Sequence, residues 1–234
     1  MHRKNLYFWK NFKKVFKKLF SYIVPINIHK QNSSVSKNIE VTWANGELVL
    51  DSKNTNYSYG SLQRILRKGL KNIGFERILR MKHILVLGVA GGSVIKTLSE
   101  EIKFKAKITG VEIDSEIIEI ANSYFQLDQI PNFEVIIDDA FEFVLKTKEK
   151  YDLIIIDIFQ DTTMPNFLFE EFFQNRTCFL LKEKGIILFN TMCLSEKENL
   201  RNKKYLESVN QELFLARTIP RVEDHNELII LERK

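Results

Sequence analysis

Acidic and small residues stand where apolar runs stop, and they are the groups in this 234-residue chain whose spacing could do chemistry. Ile84–Leu87 runs into Gly88, Val89, Ala90, Gly91, Gly92 and Ser93; Ile108–Val111 into Glu112, Ile113 and Asp114; Phe133–Ile137 into Asp138, Asp139 and Ala140; Leu153–Ile156 into Asp157. Small residues at a strand-to-helix turn let backbone approach a ligand, and the helix that follows offers free amides and a positive dipole end. A carboxylate after the second strand can accept both hydroxyls of a ribose lying over the sheet edge, and one after the third can accept the amino hydrogens of an adenine. Taken singly, the glycine turn is equally explained by helix–strand packing and Glu112 by a solvated strand end. Four consecutive strands ending this way point to a nucleoside held along one rim.

The elements that must position these residues follow from the pattern of apolar positions. Short apolar runs alternate with amphipathic stretches from His83 onward, the signature of βα units and a mostly parallel sheet. Helices are expected over Val94–Ile102, Ser115–Phe125, about Leu168–Leu181 and about Ser195–Val209, and a fifth strand over Gly185–Asn190. A closing antiparallel pair, Leu213–Ile219 and Glu227–Leu231, favours a seven-stranded methyltransferase-type sheet, Rossmann-like with helices on both faces, over a dinucleotide-binding half. Upstream, Ile39–Trp43 and Glu47–Leu50 flank Ala44-Asn45-Gly46 and predict a hairpin. Leu62–Ile73, stopped by Gly74, predicts a lead-in helix.

Charge divides the chain. Nine Lys and Arg residues and no acid precede Glu40, so the rest carries about −4, a poor match for a nucleic-acid backbone. From Leu6 to Ile23, the residues Trp9, Phe12, Phe16, Leu19, Phe20 and Ile23 recur at three- and four-residue steps with Lys10, Lys13, Lys14, Lys17 and Lys18 between them, a basic amphipathic helix closed by Pro25. It has no uninterrupted apolar run for a signal or a membrane span. Two readings stand: the stripe packs on the body or on a second subunit, or residues 1–24 lie on an anionic membrane surface. His29–Asn38 reads as a linker. The organisation expected is an arm and linker over 1–38, a hairpin and lead-in helix over 39–74, and an α/β domain over 75–234. Cys178 and Cys193 lack CxxC spacing and read as reduced core residues, with neither a metal site nor a disulfide framework. Without a targeting signal the expected compartment is the cytoplasm, with the membrane face open to the arm.

The runs ILVLGVAGGSV, GVEIDSEIIEIANSYF, VIIDDAFEFV and YDLIIIDIFQDTTMPNFLFEEFF, in this order, resemble the spermidine synthase family, especially its methyltransferase-like branch, over roughly Glu47–Met192. The resemblance implies a transferase using S-adenosylmethionine or its decarboxylated form, with a small acceptor such as an amine, and a homodimer. Carried over by motif, Gly88, Ala90 and Gly91 meet the methionine or aminopropyl end, Glu112 with Ile113 the ribose, and Asp139 with Ala140 the adenine. Asp157 would orient the acceptor amine or the ligand's amino group. Aminopropyltransferases resemble one another in a DSxDP segment whose second Asp helps deprotonate the amine; here Gln160 stands in that place and Asp161 follows it. Their YHE segment reads Tyr59-Gly60-Ser61. Glutamine takes no proton at neutral pH, so methyl transfer is favoured over aminopropyl transfer. Asp157 and then Asp161 are the catalytic candidates. The alternatives are a nucleoside-binding regulatory module without turnover and an aminopropyltransferase proper using Asp161.

Overall fold

In a computed structural model, residues 15–33, 35, 38–51, 56–159 and 163–234 are described, the side chains of 56 and 57 excepted. Their centre is a seven-stranded sheet in the order β10-β11-β9-β8-β5-β6-β7. It comprises β5 (His83–Leu87), β6 (Lys107–Glu112), β7 (Phe133–Ile137), β8 (Tyr151–Ile156), β9 (Leu181–Met192), β10 (Phe214–Val222) and β11 (Asn226–Arg233). Neighbours from β7 to β9 pair in parallel, while β11 pairs antiparallel with both β9 and β10. Central β5 and β8 carry Ile84–Leu87 and Leu153–Ile156 with no exposed surface, as strands covered by helices on both faces must. One apolar cluster joins Leu66, Ile84, Val86, Leu188 and Ile230; the opposite face joins Leu85, Ile154, Phe173, Phe189 and Tyr205.

Helix α2 (Gly60–Ile73) buries Ile65, Leu66, Gly69, Leu70 and Ile73 and stops at Gly74, whose φ of 101° lies in the region that favours glycine. A short α3 (Phe75–Leu79) follows it directly, which the sequence pattern did not announce. The helix after the glycine turn begins at Ser93 as α4 (Ser93–Lys96) and passes into a π-helical turn over Thr97–Glu101. Helix α5 (Ser115–Phe125) matches its expected limits because Asp114 caps it, accepting from the amides of Glu116 and Ile117. Beyond α6 (Ala140–Lys146), α7 (Glu171–Phe179) is shorter than expected, because Asn166–Phe169 is a separate 3-10 turn. Helix α8 (Glu196–Glu207) starts from a capping box of Ser195 and Glu198.

The small β segment is larger than a hairpin. Strands β1 (Ile26–Gln31), β2 (Ile39–Ala44), β3 (Glu47–Asp51) and β4 (Asn56–Ser58) form an antiparallel sheet in that order. The β2–β3 hairpin follows from Asn45-Gly46, with φ of 50° and 78°, a two-residue turn whose twist matches its strands. Strand β1 corrects the linker reading of His29–Asn38: His29–Gln31 pair with Ile39–Val41, so the small sheet starts inside the segment assigned to the arm. Of the amphipathic helix, residues 1–14 lie outside those described; α1 (residues 15–20) is helical and a turn follows over 21–24. Ser21 anchors it, its Oγ and carbonyl accepting from the amides of Gly46 and Asn45 at 2.9 and 3.0 Å. The described part of the stripe does not pack on the body. Phe16, Leu19, Phe20 and Ile23 are 57, 63, 47 and 76 % exposed. Among the described residues, no helix is long and apolar enough to cross a membrane.

Candidate functional site

The parallel order places the carboxyl ends of β7, β6, β5, β8 and β9 side by side, and backbone bonds tie the first four ends together. The amide of Gly88 donates to Val111, that of Asp138 to Glu112 and that of Asp157 to Leu87, at 2.9 to 3.1 Å. Asp139, Glu112, the glycine turn, Asp157 and Asn190 therefore form one row along the sheet's rim.

Glu112 holds the centre of that row. Its Oε2 accepts from the amides of Val89 and Ala90, both at 3.0 Å, and its Oε1 from those of Ile113 and Asp114 at 3.0 and 3.1 Å. The carboxylate points into the glycine turn, and four backbone donors match the four lone-pair sites of a carboxylate. Burial still pushes its pKa upward, against the downward pull of those amides. The turn needs its glycines. Gly88 has φ of 87°, and a Cβ there would lie 2.1 Å from the Asp157 carbonyl oxygen. Ala90, with φ of 46°, is the turn's left-handed residue with a side chain.

Asp157 lies across β5 from Glu112. Its Oδ1 accepts from Asn190 Nδ2 at 2.9 Å, and Asn190 Oδ1 accepts from Asn226 Nδ2 at 2.9 Å. Burial, reinforced by the charge of Glu112, raises the Asp157 pKa to about 7 in spite of the Asn190 bond. Among the described residues, neither acid is ion-paired to a Lys, Arg or His. Asp139 caps α6, accepting from the amide of Phe141 at 2.7 Å, and Ala140 opens that helix beside it. Ile113 is exposed on the rim. Asp161, with Gln160, lies outside the described residues.

The small sheet closes over the turn from the other side. Ser58 Oγ accepts from the amide of Ser93 at 3.2 Å, and Tyr59, at φ of 69°, donates its hydroxyl to the Gly91 carbonyl at 3.0 Å. The Tyr59 ring stacks on Phe125 with centroids 4.4 Å apart. The segment that departs from the YHE pattern thus still touches the glycine turn, as a clamp on its backbone. Ser58, Tyr59 and Asn190 were not among the site residues expected. Asn190 was findable, since it is a polar residue ending an apolar run, as Glu112 is. A cleft of about 600 Å³, lined by Trp43, Tyr59, Gln63, Thr97 and Phe125 among others, lies behind Tyr59, along α4 and α5 and away from the row of acids. Cys178 is buried with its thiol pushed up to about 12 by burial, unfit as a nucleophile at neutral pH.

A strand order with the antiparallel pair inserted beside β9, and a glycine turn and acids at the carboxyl ends, defines the seven-stranded methyltransferase-type α/β class. Human methyltransferase-like protein 13 in complex with SAH shares it, with a TM-score of 0.63 at 22 % identity over 75 % of this chain and 83 % of that one. So does a spermidine synthase in complex with the transition state analogue AdoDATO, with a TM-score of 0.64 at 20 % identity over 89 and 73 %. The family model for the spermine/spermidine synthase domain matches residues 64–221, and the chain belongs to that family. An eEF1A lysine and N-terminal methyltransferase homolog from Drosophila melanogaster is 31 % identical over 168 residues, 63 % of this chain and 23 % of that protein. The chain spans less than half the length of the curated relatives it matches.

Proposed function

We propose that the rim binds S-adenosylmethionine and that the chain transfers its methyl group to a small acceptor. One observation carries this reading: Glu112 and Asp157 are a crowded pair of acids with no cation among the described residues paired to either, and Asp157 holds its proton up to about pH 7. Such a pair suits a ligand bearing a sulfonium and an ammonium, whose charges replace the missing counter-ions. The neighbours bound to SAH and AdoDATO, and the methyltransferase relative, support the ligand class.

In this reading Glu112 takes the ribose hydroxyls, giving up some of its backbone amides, with Ile113 beside the sugar. Asp139 takes the adenine amino group next to Ala140. Gly88, Ala90 and Gly91 present backbone to the amino-acid end, and the α4 N-terminus faces its carboxylate. The bound sulfonium supplies a methyl group activated for in-line displacement. Asp157 orients the ligand's amino group or the incoming nucleophile and accepts the acceptor's proton, with Asp161 the second candidate for that base. Methyl transfer is preferred to aminopropyl transfer because Gln160 stands where the second Asp of DSxDP would be.

Calorimetry with S-adenosylmethionine, its decarboxylated form and methylthioadenosine tests the reading. Preference for the full amino acid fits methyl transfer, preference for the decarboxylated form assigns aminopropyl transfer, and absence of binding by all three removes the proposal. Tight binding without turnover on any amine would leave a regulatory module.

The exposed stripe of α1, flanked by Lys17 and Lys18, supports a peripheral seat on an anionic membrane for the arm. Flotation with anionic but not neutral vesicles, lost when residues 1–24 are deleted, is expected. A dimer that the same deletion dissociates would give the stripe to a second subunit instead.

A further inference from the structure

Arg201, on α8, is a cation at the outer end of the rim with no counter-ion among the described residues. Its guanidinium lies 3.8 Å over the Phe169 ring, and the residue is half-buried. Its Nε is buried with no hydrogen-bond partner. Its Nη2 reaches Asn202 Oδ1, the Met192 carbonyl and Met164 Sδ only at 3.4, 3.5 and 3.6 Å, the long limit for such bonds. The acid whose charge acts on it, Glu198, spends Oε2 on the amides of Leu194 and Ser195 at 2.8 and 3.0 Å. Glu227 receives Asn202 Nδ2 at 3.0 Å. Among the described residues no carboxylate forms an ion pair with Arg201. A guanidinium offers five donors in a fork shaped for a carboxylate or a phosphate, and burying it unpaired is costly.

The place of this cation gives the deficit a meaning. Met192, whose carbonyl Arg201 touches, lies two residues beyond Asn190 on β9, roughly 7 Å along the strand from the asparagine that holds Asp157. Met164, on its other side, follows the loop that leaves β8. The rim thus changes sign along its length, from unpaired acids at β6 and β8 to an unpaired cation beyond β9. We propose that Arg201 determines acceptor specificity by receiving an oxyanion, a carboxylate or a phosphate, carried by the acceptor whose nucleophile lies toward Asp157. This rests on the rim being a transferase site. A plain aliphatic diamine, cationic at both ends, would meet Arg201 with like charge and is disfavoured.

The test uses the full chain loaded with S-adenosylhomocysteine and titrated by calorimetry with succinate, inorganic phosphate or 1,4-diaminobutane. Succinate or phosphate is expected to bind, and which of the two binds more tightly says which oxyanion the site takes. Arg201→Gln should weaken that binding by about tenfold or more, and Arg201→Lys by less, while S-adenosylmethionine affinity stays unchanged. Arg201→Met should melt no lower than wild type, because it removes an unpaired charge from a half-buried site. Binding of the diamine in preference to both anions overturns the proposal, as does failure of both anions to bind. A lowered melting temperature in Arg201→Met with anion affinity unaltered in Arg201→Gln assigns the residue to packing, which also overturns it. Loss of the rim reading is separately visible as failure of S-adenosylmethionine itself to bind.

Discussion

Replacing Glu112 by glutamine removes one atom's worth of acceptor from a site where four amides converge at 3.0 to 3.1 Å. The amide side chain keeps one oxygen, which can serve one pair, Val89 and Ala90 or Ile113 and Asp114. The other pair then faces an NH2 donor. Two hydrogen bonds to a charged group are lost, at about 1.5 to 3 kcal/mol each. Relief of the carboxylate's desolvation and of its repulsion with Asp157 offsets part of this, leaving a net loss of about 2 to 4 kcal/mol. In a domain of this size that lowers the melting temperature by roughly 5 to 15 °C. Calorimetric melting and urea denaturation with matched slopes measure it without any ligand. The same variant should weaken S-adenosylmethionine binding by about 1 to 3 kcal/mol, through a lost ribose acceptor and a loosened turn. A melting point within about 2 °C of wild type would show that the glycine turn keeps its shape without this acid, and the account of the site's centre would fall.

Asp157→Asn keeps an oxygen for the Asn190 amide and removes the titration. Because the folded pKa stands at about 7 against 3.8 in the unfolded chain, stability linked to Asp157 is present in acid and is lost as pH rises between those values. The variant should gain on wild type in melting temperature between about pH 4 and pH 8, and a pH-independent difference would refute the assignment. Binding of a cationic ligand should release a proton near pH 6, read as a dependence of calorimetric heat on buffer ionisation enthalpy. Gly88→Ala places a Cβ 2.1 Å from the Asp157 carbonyl at φ of 87°, and should cost about 3 kcal/mol or more or prevent folding, seen by circular dichroism. Tyr59→Phe leaves the Gly91 carbonyl without its donor and should cost about 1 to 3 kcal/mol in chemical denaturation while the fold persists.

The core of this fold was legible because its strands are buried on both faces. Runs such as Ile84–Leu87 and Leu153–Ile156 have few other uses, and the polar residues that end them mark the rim. Asp114 and Gly74 gave α5 and α2 their ends through capping chemistry. What the pattern concealed was held by contact rather than periodicity. Strand β1, with half-buried His29 and exposed Lys30, has the polarity of a loop and becomes a strand by pairing with β2. Strand β9 begins at Leu181, ahead of the expected Gly185, because half-buried Lys182 with exposed Glu183 and Lys184 interrupts its apolar run and hides its start. The stripe of α1 has helical spacing yet faces outward, since spacing reports a face without reporting what covers it. Ser58 reaches the glycine turn through tertiary placement, for which its own neighbourhood carries no signal, and Tyr59 stood out only as the start of the altered YHE segment.

The chain of side-chain hydrogen bonds from Asp157 through Asn190 to Asn226 runs out of the rim of acids and into the β10–β11 hairpin. Strand β11 therefore acts on the rim through its neighbour β9: Asn226 fixes which way Asn190 is turned, and so whether the acid sees a donor or a lone pair. Losing Asn226 from this hairpin would retune the proton affinity of a residue some seventy positions earlier in the sequence.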